Sequence, residues 1–152
     1  MTISQSGLLV ATIRNNLIGG TQTSLVHAGN KIAFFGDALV PNFSQAAPVY
    51  GVAPYDTGEI SGLGLSAGGV LMDTPVLVDS GGGLLKWDAG DVSVPGTTLS
   101  GITGMVIFGS GQGNRVIAVV VAPDGPHETQ NGLLGVVWDP LGIADWDVVP
   151  TP

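Results

Sequence analysis

Five consecutive residues, Gly64-Leu65-Ser66-Ala67-Gly68, spell G-x-S-x-G. In serine hydrolases that spacing turns a strand sharply into a helix and exposes the serine oxygen for attack on a carbonyl. The acid and base that such a serine needs must follow it, and Asp79 and His127 stand in the required order. The surroundings argue against this chemistry. Gly68, Gly69 and Pro75 make a helix after Ser66 unfavourable. A hydrolase sheet also needs alternating strands and helices, which this chain does not offer. In a glycine-rich chain a five-residue match carries little specificity, so hydrolysis through Ser66 ranks behind a turn reading.

The other chemistry-bearing residues are sparser still. His27 and His127 stand alone, with no H-x-x-x-H or H-E-x-x-H spacing, and read as loop histidines. Asp88 and Asp91 lie close together with Asp79 upstream, an oxygen-rich set of the kind calcium accepts. The alternate acids and closing Glu of a calcium loop are missing, so hairpin-turn aspartates are the preferred reading and no metal is expected. Gly109-Ser110-Gly111-Gln112-Gly113 resembles a phosphate cradle only in its glycines, since no lysine lies within it. It reads as a hairpin turn. Trp87, Trp138 and Trp146 could form a sugar platform if exposed, but Trp87 and Trp138 fall in strand patterns and read as core or edge side chains. Asn42-Phe43-Ser44 matches the glycosylation acceptor pattern and, without a secretory signal, reads as chance. No catalytic, cofactor-binding or metal-binding residue is therefore assigned.

The elements that would hold these residues are mostly strands. Leu9, Ile13 and Leu17 recur every four residues beside Val10 and predict a helix over Ser6–Ile18. Ser6 would cap its start, Gly19-Gly20 would end it, and Arg14, Asn15 and Asn16 would face away from its apolar stripe. A strand through Leu8–Ile13 is the rival. Lys31–Phe35 reads as a strand, and residues 37–58, with Pro41, Pro48 and Pro54, read as a long loop with at most one helical turn. Phe43, Tyr50 and Tyr55 in that loop must pack on the body or on a neighbour. Further strands are predicted at Glu59–Leu63, Val70–Met72, Pro75–Val78, Leu84–Trp87, Val92–Val94, Gly104–Phe108, Val116–Ala122 and Leu133–Trp138. Val116–Ala122 is apolar on both faces and reads as a central strand. The tail from 144 to 152 could dock on an adjacent chain or fold back on its own sheet. The expected architecture is mainly β, an antiparallel β-sandwich or small barrel with one short N-terminal helix. A single domain over 1–152 is expected, with a helical arm at 1–20.

Composition narrows the partners. Hydrophobic residues make up 44% of the chain and charged residues 11%, against roughly 25% charged in an average protein. Such a neutral surface is either coated with Ser, Thr and Gly or covered by a partner. The 25 glycines and 10 prolines suit short strands and many turns. Net charge is −8, and Arg14, Lys31, Lys86 and Arg115 form no cluster, so nucleic-acid binding is not expected. The chain has no cysteine, which removes disulfides, thiolate chemistry and Cys-based zinc sites. No membrane span is expected, because the longest apolar run, Val116–Ala122, is far below the ~20 residues needed. The N-terminus lacks the charged start of a signal peptide.

The order of these pieces resembles a widespread family of small structural proteins encoded with the head and tail genes of tailed bacteriophages. The likeness spans roughly residues 6–143. It rests on the Leu17-Ile18-Gly19 helix end, Lys31–Phe35, and Glu59-Ile60-Ser61-Gly62 with Gly64, Ser66 and Gly68-Gly69. It continues through Leu85–Val92, Met105–Phe108 and Val136–Ile143. Leu65 stands where many members carry tyrosine, a departure that concerns packing. The resemblance implies a virion component with no catalytic residues and no cofactor. It points first to a capsid decoration (cement) protein on the head exterior, binding the major capsid protein as a homo-oligomer, a trimer at local threefold sites. The alternative is a tail tube, connector or minor tail protein. A serine hydrolase using Ser66 and a carbohydrate-binding β module rank below both.

Overall fold

Within Asn30–Phe35, Ile32 to Phe35 carry apolar side chains without a polar alternate, which suits a strand buried on both faces. The computed structural model, which describes residues 3–147, places this strand inside a five-stranded antiparallel sheet. In chain order the elements are β1 (Gly7–Leu8), α1 (Val10–Ile18), β2 (Asn30–Phe35), β3 (Val70–Leu71), β4 (Asp73–Asp79) and β5 (Leu84–Gly90). They continue with β6 (Val92–Ile102), β7 (Gly104–Gly109), β8 (Arg115–Val121), β9 (His127–Val136) and β10 (Ala144–Asp147). The large sheet runs β1-β8-β7-β2-β3, a second sheet runs β10-β5-β4, and β6 pairs with β9 in a ribbon. All pairings are antiparallel, and the sheets do not close into a barrel.

Alternation along the central strands builds two cores. Ile32, Phe34, Ile107 and Ile117 point to one side of the large sheet, where they meet Trp87 of β5, Leu99 and Ile102 of β6, and Leu134 and Val136 of β9. Ala33, Phe35, Val106, Phe108, Val116 and Val119 point to the other side, where Leu9, Leu39 and Tyr55 cover them. A register shift between Ile107 and Phe108 lets β8 present Ile117 and Ala118 to the same core. The long 37–58 segment therefore acts as a lid on the second core. It is built of turns and one isolated bridge, Val49 to Arg115, without a helical turn. Its aromatics pack down on the body. Tyr55 is fully buried, Tyr50 stacks on Phe108 with ring centroids 4.0 Å apart and planes 7° apart, and Phe43 covers Gly7.

Several expected elements change on folding. The helix begins at Val10 rather than Ser6, because Gly7 and Leu8 pair with Val119 and Ala118 as β1. Ser6 is no cap; its Oγ accepts the Val121 amide at 2.8 Å. Only Thr12 of the helix is buried; of the predicted stripe, Leu9 just before the helix is buried in the second core and Ile13 packs against the first, while Val10 and Leu17 face outward. Glu59–Leu63 is not a strand but a set of isolated bridges, Glu59 to Phe35, Gly62 to Leu65 and Leu63 to Thr98. The short strand expected at Val92–Val94 is part of the longer β6, and the one expected at Leu133–Trp138 overlaps the end of the longer β9, which stops at Val136; register shifts break the alternation of the pair. From the expected tail, Ala144–Asp147 folds back on β5 as β10, and 148–152 lies outside the described residues.

Candidate functional site

Gly64 and Gly69 hold the glycine-rich run in a tightly packed turn. Gly62 and Leu65 exchange backbone hydrogen bonds of 2.8 and 3.1 Å in a tight turn that buries Leu65. Gly64 has φ +80°, and a Cβ there would meet the Gly96 carbonyl oxygen at 2.6 Å. Gly69 has φ +68°, and a Cβ there would meet the Ile32 carbonyl oxygen at 2.6 Å. Both positions need a backbone conformation and an approach that side chains prevent. Ser66 sits exposed beyond this turn, and the next element is the strand β3, not a helix. No hydrogen bond joins it to its sequence partners. Asp79 accepts the Gly81 amide at 2.9 Å, and the His127 Nε2 lies 2.6 Å from the Pro123 carbonyl. The strand-turn-helix that a hydrolase serine requires is not formed around Ser66.

The remaining candidates are each held by local partners. Asp88 pairs with Lys86 at 2.8 Å, and the ammonium holds its carboxyl below the usual carboxylate range. Asp91 accepts the Trp138 amide at 3.1 Å. Among the described residues no three His, Cys, Asp or Glu side chains converge as metal ligands would. The 109–113 loop is the turn between β7 and β8. Its Gln112 bridges to Ser24 by two hydrogen bonds and to Asn30 at 2.8 Å, tying that turn to the chain before β2. His27 accepts the Gly29 amide in its own loop. Trp87 is fully buried, with its indole N–H on the Leu25 carbonyl at 3.1 Å. Trp138 and Trp146 are half-buried against the same core, so none of the three lies open as a stacking platform.

One polar cluster was not apparent from the sequence. The Tyr50 hydroxyl donates to Glu59 at 2.6 Å, and the same carboxylate accepts the Gly68 amide at 2.8 Å. Burial pushes the Tyr50 phenol far above its ordinary range, and the neighbouring Glu59 adds to the rise. Glu59 thus joins the loop of Tyr50 to the glycine run; spacing alone could not pair residues from two irregular segments. Glu59 also borders a cleft of about 710 Å³ with Ser61, Thr98, Ser100, Glu128 and Gln130. Its lining offers hydrogen bonds to a polar solute and contains no histidine or cation.

The most distinctive surface is apolar. Val10, Leu17 and Ile18 on α1 are 58%, 81% and 63% exposed. Val10 and Leu17, with Leu8 and Ile13, line a shallow groove around Arg14. The helix presents this face because its inner side is polar and satisfied. The Thr12 hydroxyl donates to the Val116 carbonyl at 2.6 Å, and Asn16 exchanges two hydrogen bonds of 2.8 Å with Thr23. Uncovered Leu and Val in a chain this short of charge form a surface suited to burial against another protein. Comparison of the chain with protein-family models, curated proteins and solved structures finds no match.

Proposed function

We propose that this chain is a capsid decoration protein of a tailed bacteriophage, a non-catalytic subunit that adheres to the major capsid protein on the head exterior. The observation that carries the reading is the uncovered apolar face of α1 on a sheet-built body with few charges. The resemblance of the residue order to phage structural proteins is what points to a virus particle as the assembly. Burying apolar surface contributes roughly 25 cal/mol per Å², so one small contact is weak. Repetition over a shell, and joining of copies as trimers at local threefold positions, multiplies it. The two cores and the stacked loop aromatics give the rigidity such a clamp needs, because little ordering remains to oppose binding.

The test is to add the purified chain to mature heads stripped of it and to count bound copies. The expected result is a copy number comparable with the shell protein, lost when Leu17→Asp places a carboxylate in the apolar face. A handful of copies per particle would instead favour a tail or connector position, and absence of binding would overturn the reading.

A further inference from the structure

The second surface is a sheet edge. The edge strands of the large sheet, β1 and β3, are only two residues long, and loop segments continue the bonding along β8 and β2 beside them. Beyond β1, the Leu9 amide bonds Ile117, Val116 bonds Pro48 and Tyr50 bonds Asn114; on the β3 side, Ile60 bonds Phe34 and Gly36 bonds Gly58. The outer edge of β4 receives no backbone hydrogen bond from any described residue. Its Val76, Leu77 and Val78 are exposed, so apolar side chains project from both faces of an open strand. The outward sides of β9 and β10 differ from this one. β9 is polar through its first half and turns Leu134 and Val136 into the core, and β10 carries Asp145 and Asp147.

The register fixes which groups are free. Val76 and Val78 lie opposite Asp88 and Lys86, in phase with the Ser80 amide that bonds Leu84. In an antiparallel ladder every second residue turns its N–H and C=O outward, here Leu77 and Asp79. Consistently, Trp87 opposite Leu77 gives its carbonyl to Ile143 on the far side. The opening is bounded below by a bulge at Thr74, φ +42°, and by Pro75, which has no N–H. Natural edges are usually blunted by charge or proline along their length, whereas this one is blunted only at its ends.

We propose that the outer edge of β4 is a strand-addition site for an extended segment of another protein, apolar at its centre and carrying Lys or Arg at each end. Main-chain hydrogen bonds would supply affinity and the flanking charges selectivity. Exposed carboxylates, Asp73 and Asp79, stand at both ends of the apolar stretch. Lys86, the nearest cation across the ladder, is already held by Asp88 and the Pro140 carbonyl. A second copy is the poorer occupant. Pairing through Leu77 and Asp79 would bring the two Asp79 carboxylates diagonally together between chains of net charge −8, with no cation to compensate. The inference does not depend on the assembly being a phage head.

The probe is a synthetic peptide of alternating valine and threonine with a lysine at each end, added to the full chain. Amide hydrogen exchange should slow at least about tenfold at Leu77 and Asp79, with little change at Val76 and Val78, and binding should weaken with salt. Leu77→Pro removes an outward donor without touching the β5 ladder and should weaken binding roughly tenfold. If that variant fails to fold, a peptide N-methylated along one edge, offered to the unaltered chain, should fail to bind. No protection at millimolar peptide, or equal binding by the peptide with glutamate ends, would overturn the proposal. Protection of Leu77 and Asp79 that rises with protein concentration alone would overturn it in favour of self-pairing.

Discussion

A methyl group on Gly69 would stand 2.6 Å from the Ile32 carbonyl oxygen, on a backbone with φ +68°. The nearest obstacles are backbone atoms of a central strand and cannot swing away. Ser66, three residues earlier, is exposed and has no such constraint. Gly69→Ala should therefore cost about 2 kcal/mol or more, while Ser66→Ala should stay within about 0.5 kcal/mol. Urea midpoints of the two variants check this, and a Ser66→Ala loss matching that of Gly69→Ala would contradict it. The G-x-S-x-G pattern was plain in the sequence, but its meaning was not. A glycine that admits a distant backbone and a glycine that shapes a nucleophile turn look the same until the partner strand is known.

At the scale of elements, α1 separates what spacing reveals from what it hides. The four-residue recurrence of Leu9, Ile13 and Leu17 correctly signals a helix ending at Gly19, yet gives no direction for its face. Direction is set by Thr12, whose buried hydroxyl meets the Val116 carbonyl at 2.6 Å, and by Asn16 one turn later. Thr12→Val keeps the shape and leaves that carbonyl without its Thr12 partner, so it should cost about 1–3 kcal/mol. Leu17→Asp should change stability by no more than about 0.5 kcal/mol, since the side chain touches solvent. Denaturation curves of both variants compare them directly. The strands of the large sheet were legible because burial on both faces leaves continuous apolar runs in β2, β7 and β8. The β6–β9 ribbon was legible only at its apolar ends. Its register shifts and the polar stretch His127–Asn131 erase the period-two signal over the rest.

For the molecule as a whole, long-range packing joins the loop, the sheet and the glycine run, and two phenols sit at those junctions. Tyr55 of the 37–58 lid is buried against the second core with its hydroxyl on the Asn42 carbonyl at 3.1 Å, and Tyr50 joins Phe108 to Glu59. Burial raises both phenols above their ordinary value, and for Tyr50 the Glu59 carboxylate adds to the effect. An unfolded chain releases these protons near pH 10, whereas the folded chain still holds them. The unfolded state then binds fewer protons, so stability that is complete below about pH 10 must fall as pH rises through and beyond it. Two tyrosines act together, which predicts a slope approaching two protons in that window. Tyr50→Phe removes one of them. It should lower stability at pH 8, because Glu59 loses a donor, by about 1–2 kcal/mol, and it should also shallow the alkaline decline towards one proton. Urea midpoints between pH 8 and 11 measure both effects. An unchanged alkaline slope in the variant would mean that Tyr50 ionises as readily in the folded chain as in the unfolded one, and that the loop is not closed over the sheet by this contact.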